Sequence, residues 1–231
     1  MLNLSDFSHL TFDCYGTLID WETGIFSVIQ PLIAAHGKSI SDAKLLELYG
    51  ELEADEESGK YRTYREVLQS VVQGVGKRLS FTPSLDEADA LAKSVPNWRP
   101  WPDTVSALSR LSTRYRLAII SNIDDDLFHA TRRHLPVEFD QVTTAQQAQC
   151  YKPGLPIFQL ALQKAGVGAG RILHVGQSIY HDVLPAKSLG LATVWVNRPS
   201  PRAGVGAVKQ AAGLPDLQVS DVETLATLAG C

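Results

Sequence analysis

The stretch HLTFDCYGT, residues 9–17, decides the fold. The segment from His9 to Asp13 has the pattern of a short buried strand, and Tyr15, Gly16 and Thr17 supply the turn that ends it. We predict that this segment is the first strand of a parallel sheet.

A long helical block follows this strand. From Gly24 to Lys93 the apolar residues recur at helical spacing, and strand signals are few. Ser84 followed by Glu87 is a capping box that predicts one more helix before Pro96. The block then ends in residues 96–102, where three prolines rule out a regular helix.

Beyond residue 102 the pattern alternates between helices and strands. The predicted helices are Asp103 to Thr113, Asp125 to His134, Pro156 to Ala165 and Asp182 to Leu189, and the predicted strands are Leu117 to Ile120, Phe139 to Val142, Ile172 to Val175 and Ala192 to Val196. Such repeated units indicate an α/β fold with a doubly wound, Rossmann-like parallel sheet. We predict a surface loop from Pro199 to Pro215 and a last helix capped by Ser220. We assign residues 1–18 and 97–231 to an α/β core and residues 19–96 to an inserted helical cap domain.

The composition of the chain is that of an ordinary globular protein. The 231 residues are 45% hydrophobic and 20% charged, with a formal net charge of −4. This charge disfavours nucleic acid as a partner, because nucleic-acid affinity comes mainly from clustered Lys and Arg. The three scattered cysteines indicate neither a disulfide framework nor a zinc site. No signal-peptide pattern or membrane-spanning apolar run occurs, so we expect a cytoplasmic protein without membrane contact.

Polar residues stand just after the predicted strands. Asp13 ends the first strand, Ser121 and Asn122 end the second, and Lys152 and Asp182 follow later in the chain. Ligands bind outside the carboxyl ends of strands in an open parallel sheet, so these side chains are candidates for one site. Two carboxylates brought together repel each other unless a cation lies between them, and Lys152 is the internal candidate. An ionised, desolvated carboxylate can attack an electrophilic carbon or phosphorus.

Four short motifs resemble those of the haloacid dehalogenase superfamily. They are DCYGT at residues 13–17, Ser121-Asn122, Lys152-Pro153, and GQSIYHD at residues 176–182. The resemblance spans nearly the whole chain, including the position of the cap. Phosphatases of the superfamily usually have a second aspartate two residues after the nucleophile, whereas this chain has Tyr15. It is therefore similar to the 2-haloacid dehalogenase branch, in which the departing halide needs no proton.

The resemblance implies a role for each matching position. Asp13 would be the nucleophile and form a covalent ester, Lys152 would neutralise the carboxylate pair, and Asp182 would position water. Thr17 would orient Asp13. Tyr15, Ser121, Asn122, Gln177 and His181 would contact the substrate. A small-molecule substrate and a possible homodimer are also implied, and a dehalogenase of this kind requires no cofactor.

The chain departs from the dehalogenase pattern at three places, and two other functions stay open. Gln177 and Ile179 replace a Ser-x-Asn pair, and His181 is an additional polar residue beside Asp182. Glutamates stand near residues 48–53 where the dehalogenases have a cap arginine, for which Arg62, Arg65 or Arg78 could substitute. One alternative is a divergent Mg-dependent phosphatase, with Asp13 and Asp182 around the ion. A more remote alternative is a receiver-like signalling module that is phosphorylated on an aspartate.

Overall fold

The computed structural model describes residues 2–198, Ser200, Arg202 and 206–231. Its centre is one sheet of six parallel strands in the order β3-β2-β1-β4-β5-β6. The strands are β1 (His9–Phe12), β2 (Arg116–Ser121), β3 (Gln141–Thr144), β4 (Ile172–Gly176), β5 (Ala192–Val196) and β6 (Leu217–Val219). The predicted α/β class with a parallel sheet is confirmed.

The position of β1 follows from its sequence. All four of its residues are buried, because β1 pairs with β2 on one side and with β4 on the other. Parallel strands need crossover connections, and helices supply them on this chain. The core helices are α5 (Thr104–Leu111), α6 (Asp125–Arg132), α7 (Ala145–Ala148), α8 (Leu155–Ala165), α9 (Leu184–Ser188) and α10 (Val222–Leu228). The carboxyl ends of β1, β2 and β4 therefore meet at one edge of the sheet.

The predicted helical block between β1 and α5 consists of four helices. They are α1 (Trp21–Ala35), α2 (Asp42–Glu57), α3 (Tyr64–Leu79) and α4 (Leu85–Ser94). The capping box of Ser84 and Glu87 begins α4, and Thr63 with Glu66 forms a second one at α3. We propose the boundaries of the cap at residues 19 and 96 because these four helices pack mainly on one another.

One core side chain fixes the start of α3. The carboxylate of Asp124 accepts hydrogen bonds from the backbone N–H groups of Tyr64, at 2.8 Å, and Arg65, at 3.0 Å. The first N–H groups of a helix have no partner within the helix, so a carboxylate there satisfies them. Asp124 thus ties the cap to the loop after β2.

Two local predictions differ from the structure, and a third lies partly outside the described residues. The helix predicted from Asp182 begins earlier, as one π-helical turn (Ile179–Val183) that continues into α9. In this turn the N–H of Val183 donates to the carbonyl of Ser178, five residues earlier. Asp221 rather than Ser220 caps α10, since its side chain accepts from the N–H of Thr224. Within the predicted surface loop, residues 199, 201 and 203–205 lie outside the described residues.

The three-residue strand β6 was not predicted. It is too short to show a period-2 pattern. Among the described residues, no helix combines the length and the apolar composition that spanning a bilayer requires.

Candidate active site

Asp13 lies at the end of β1, where the strand turns toward the cap. Its backbone N–H still donates to the carbonyl of Val175 at 2.9 Å, so the residue is held in the sheet. The turn depends on Gly16, whose φ of 98° is favourable only for glycine. A Cβ there would also lie 2.4 Å from the side chain of Gln177. Asp13 itself is only 7% exposed.

The ammonium of Lys152 lies between two carboxylates. Its Nζ donates to Oδ1 of Asp13 and to Oδ1 of Asp182, each at 2.7 Å, and to the carbonyl of Ile120 at 3.1 Å. All three of its protons therefore have an acceptor. Lys152 and Asp182 are almost fully buried. The sequence prediction that a lysine separates the two acids agrees with this geometry.

The second oxygen of each carboxylate is also hydrogen-bonded. Oδ2 of Asp13 accepts from the hydroxyl of Thr17 at 2.7 Å, and that hydroxyl accepts from the N–H of Gln177 at 2.8 Å. Oδ2 of Asp182 accepts from the N–H of Ser178 at 3.1 Å. Both carboxylates are thus held in fixed orientations, as a nucleophile and a water-orienting group require.

His174 is a buried partner of Asp182 that sequence reasoning missed. Its Nε2 is 3.3 Å from Oδ1 of Asp182, and its Nδ1 is 2.9 Å from the hydroxyl of Thr11 on β1. The close approach of β4 to Asp182 depends on Gly176, where a Cβ would lie 2.4 Å from the carboxyl carbon of Asp182. A histidine inside an otherwise apolar strand was the available signal.

Burial and charge act against each other in this group. Burial raises the pKa of Asp13, and the neighbouring Lys152 ammonium and Thr17 hydroxyl oppose the rise. Burial also acts to raise the pKa of Asp182, but Lys152 and His174 outweigh it and hold that pKa below its ordinary value. Burial acts to lower the pKa of Lys152, but the two carboxylates hold it above its ordinary value. Lys152 is therefore charged, and Asp182 is a carboxylate at neutral pH.

Most of the predicted site residues line one small cavity of about 50 Å³. Its lining includes Asp13, Tyr15, Asn122, Lys152, Gln177, His181 and Asp182. Thr17 does not line the cavity but orients Asp13. Ser121 does not line it either, although its buried Oγ has no hydrogen-bond partner among the described residues. The contact of Ser121 with the substrate therefore stays a prediction.

Two predicted substrate contacts are already engaged within the protein. The hydroxyl of Tyr15 hydrogen-bonds to the hydroxyl of Thr131 at 2.8 Å, so only its ring faces the cavity. Asn122 accepts from the backbone N–H of Lys152 at 2.7 Å and donates to the carbonyl of that residue at 3.1 Å. Asn122 therefore positions the lysine loop.

His181 lies beside the second carboxylate. Its Nδ1 is 3.2 Å from the hydroxyl of Ser178, which also accepts from the backbone N–H of His181. Burial lowers the pKa of His181 to about 4, so the ring is neutral at neutral pH. A neutral imidazole can donate or accept one hydrogen bond in the cavity.

The cap side of the cavity carries acids. Glu53 and Glu57 of α2 line it, together with Trp21 of α1. Sequence reasoning noted glutamates in this part of the cap but did not place them. Each of the three arginines of this part of the cap bonds an acid outside the cavity lining: Arg62 bonds Glu56, Arg65 bonds Asp126, and Arg78 bonds Glu51.

The donor set of this site is satisfied without a metal ion. Each of the four oxygens of Asp13 and Asp182 accepts a hydrogen bond from Lys152, Thr17 or Ser178. Among the described residues, no group of three or more His, Cys, Asp or Glu side chains is arranged to hold a metal. The carboxylate pair holds an internal ammonium, and a Mg²⁺ ion at Asp13 and Asp182 would need water and substrate oxygens to complete its ligand shell.

The sequence of this chain matches the model of a known protein family. The sequence model of the haloacid dehalogenase-like hydrolases matches residues 7–190, which include both carboxylates and the lysine. The chain belongs to this family of hydrolases.

Relatives within the haloacid dehalogenase-like hydrolases include enzymes of two activities. An (S)-2-haloacid dehalogenase from Pseudomonas fluorescens is 27% identical over 193 residues, which are 81% of this chain and 83% of that protein. Another, from Pseudomonas sp. strain YL, is 26% identical over 95% of this chain and 93% of its own length. A glyceraldehyde 3-phosphate phosphatase from Methanothermobacter thermautotrophicus is 33% identical, but over only 43% of this chain and 45% of that protein.

Solved structures of this family share the whole fold. A defluorinating L-2-haloacid dehalogenase superposes with a TM-score of 0.82 at 21% identity, covering 98% of both chains. The L-2-haloacid dehalogenase of Xanthobacter autotrophicus gives 0.82 at 20% identity, covering 97% of this chain and 98% of its own. At these identities the likeness shows the fold, including the position of the helices inserted after β1.

Proposed function

We propose that this protein hydrolyses the carbon–halogen bond of a small 2-haloacid, with Asp13 as the nucleophile. One observation carries the proposal: the Lys152 ammonium lies 2.7 Å from both Asp13 and Asp182 at the edge of the sheet. The 2-haloacid dehalogenases named above are similar to this chain over four fifths or more of its length.

The first step is a displacement at carbon. A carboxylate oxygen of Asp13 forms a bond to C2 of the substrate, the carbon–halogen bond breaks, and the halide leaves with the electron pair. The product of this step is an ester of Asp13. Thr17 and Lys152 hold the carboxylate in line for attack, which makes the encounter effectively intramolecular.

The second step opens the ester. Water attacks the carboxyl carbon of Asp13, and the bond between that carbon and the substrate oxygen breaks. One proton of the water passes to the leaving oxygen and the other to solvent, so the 2-hydroxy acid leaves with a hydroxyl oxygen that came from Asp13. The low pKa of Asp182 makes it a hydrogen-bond acceptor that orients the water rather than a strong base. The ammonium of Lys152 stabilises the negative charge that develops at the ester oxygen.

The remaining predicted contacts surround the substrate in this proposal. The unpartnered hydroxyl of Ser121 and the backbone N–H groups after Asp13 receive the substrate carboxylate. The ring of Tyr15 and the side chains of Gln177 and His181 line the space around the reacting carbon. The homodimer, the cytoplasmic location and the absence of nucleic-acid partners stay predictions.

A Mg-dependent phosphatase is the second candidate. The 33% identity to part of a glyceraldehyde 3-phosphate phosphatase favours it. Tyr15 argues against it, because the departing oxygen of a phosphoester needs a proton whereas a halide does not. The hydroxyl of Tyr15 is bonded to Thr131, so it is not free to supply that proton.

Halide release distinguishes the two candidates. We expect chloride and bromide from (S)-2-chloropropionate and bromoacetate, measured by ion chromatography, with equal rates in EDTA and in Mg²⁺. The Asp13→Asn variant is the matched control and should release none. Phosphate release from a phosphoester panel that EDTA abolishes, without halide release, would replace the dehalogenase assignment by the phosphatase.

A further inference from the structure

The cap wall of the active-site cavity is acidic. Glu53 and Glu57 are four residues apart on α2, so they lie on one face of the helix and both line the cavity that contains Asp13 and Asp182. Glu53 is only 8% exposed. Lys152, already bonded to both aspartates, is the sole Lys or Arg side chain in that lining among the described residues.

Each glutamate uses one oxygen inside the protein and leaves the other for a ligand. Oε1 of Glu53 accepts from the hydroxyls of Tyr64, at 2.6 Å, and Tyr49, at 2.9 Å. Oε2 of Glu57 accepts from Asn122 at 3.1 Å. No described residue donates to the other oxygen of either side chain. A donor on a ligand would give each of these oxygens the partner that it lacks among the described residues.

The sign of the charge decides what this wall can receive. Burial raises the pKa of Glu53 to about 7 and the pKa of Glu57 above its ordinary value, so a positive group is what favours the ionised form of both acids. A second anion on the substrate would gain no charge pairing at this wall. Lys209 approaches the ring of Tyr180 at 4.5 Å but lines neither this cavity nor the next one. A cation on the substrate would instead gain charge-assisted hydrogen bonds to Glu53 and Glu57.

A larger cavity of about 360 Å³ adjoins the first one. Glu57, Lys152 and His181 line both cavities, so the second space leads to the first. Its walls include Tyr61 and Tyr151, whose rings are stacked with centroids 5.4 Å apart. Aromatic rings beside a carboxylate are a surface that suits an ammonium on a methylene chain.

We propose that the substrate is a 2-haloacid that also carries a positively charged group on a short methylene chain, and that Glu57 and Glu53 bind this group. This inference rests on the proposed dehalogenase reaction for the other end of the substrate. The carboxylate end lies on the side of Ser121, and the cationic end lies toward the wall of α2.

Three substrates of matched length test the proposal. They are 2-chlorohexanoate, 6-amino-2-chlorohexanoate and 2-chloroadipate, which end in a methyl group, an ammonium and a carboxylate. We expect kcat/KM for halide release to be about tenfold higher for the amino compound than for the hexanoate, and lowest for the adipate. Blanks without enzyme correct for cyclisation of the amino compound. Equal values for all three, or preference for the adipate, would overturn the inference.

A pair of variants assigns the preference to the cavity wall. Glu57→Gln should lower the ratio of amino compound to hexanoate to about one, because it removes the charge but keeps the shape. Asp55→Asn removes the same charge from an exposed position two residues away on α2 and should keep the ratio of the wild type. If both variants changed the ratio equally, the effect would come from the general field of the cap and the inference would fail.

A binding measurement separates this inference from the reaction. The probes are 6-aminohexanoate, hexanoate and adipate, titrated calorimetrically into Asp13→Asn and into Asp13→Asn/Glu57→Gln. One outcome would be that 6-aminohexanoate binds preferentially, that Glu57→Gln abolishes this preference, and that the wild type releases no halide from any chloro compound. This outcome would support the cation-binding role of Glu57 and reject the dehalogenase reaction. If the wild type released halide but the three probes bound equally, the dehalogenase reaction would be supported and the binding of a cationic group by Glu53 and Glu57 would be rejected.

Discussion

His174 and Asp182 form a fully buried contact, with Nε2 of the histidine 3.3 Å from Oδ1 of the aspartate. The other ring nitrogen of His174 is 2.9 Å from the hydroxyl of Thr11, so β1 and the π-helical turn hold the ring from its two nitrogens. The charge of Lys152 and the contact with His174 both lower the pKa of Asp182. We infer that His174 is a positioning residue that acts through Asp182.

Replacing His174 by leucine should lower kcat about tenfold and leave KM nearly unchanged. Without the ring, Asp182 loses a buried hydrogen-bond partner that fixes its orientation toward the attacking water. His174→Gln keeps a polar group near Oδ1 of Asp182 and should restore most of the rate. A glutamine variant as slow as the leucine variant would mean that His174 acts only through packing.

The side chains at the carboxyl ends of the strands could be predicted, because finding the end of a buried strand needs only the local sequence pattern. Asp13 follows a buried strand with its turn, and Lys152 and Asp182 follow later strands, so the topology of a parallel sheet brings them together. The side chains of α2 were not predictable in this way. Which face of α2 meets the cavity depends on long-range contacts, such as the one between Asp124 and the start of α3.

Lys152→Met should abolish activity and destabilise the protein. The variant leaves two buried carboxylates facing each other, a change that costs about 3–5 kcal/mol when one partner of a buried ion pair is removed. In the wild type, the low pKa of Asp182 contributes stability above the ordinary pKa of aspartate, and that contribution is lost as the pH falls. The deficit of the variant in urea unfolding should therefore be larger at pH 8 than at pH 4.

Lys187→Met is the matched control for this prediction. Lys187 pairs with Asp216 at 2.7 Å, but its side chain is 37% exposed. Partly exposed ion pairs contribute little, so the control should stay within about 1 kcal/mol of the wild type. An equal loss of stability in both variants would show that Lys152 stabilises the protein no more than a partly exposed lysine does.

Isotope labelling should place solvent oxygen in Asp13. When a single turnover runs in H₂¹⁸O with enzyme in excess, water attacks the carboxyl carbon of the Asp13 ester, so a peptide containing Asp13 gains about 2 Da. The 2-hydroxy acid of that turnover keeps oxygen from the protein. Mass spectrometry of both products measures this distribution. Label in the hydroxy acid and none in the peptide would indicate direct attack of water on the substrate.

Glu53→Gln should stabilise the protein at alkaline pH. Burial raises the pKa of Glu53 to about 7, although the hydroxyls of Tyr64 and Tyr49 oppose the rise. The folded protein therefore holds a proton that the unfolded chain has lost, and the free energy of unfolding falls as the pH rises from the ordinary glutamate pKa to about 7. Glutamine accepts from the same two hydroxyls and avoids this loss. The gain of Glu53→Gln over the wild type should be about 2–3 kcal/mol larger at pH 8 than at pH 5 in urea unfolding, whereas the exposed Glu51→Gln should show no such difference. A gain that did not change with pH would indicate that Glu53 is not the group that titrates.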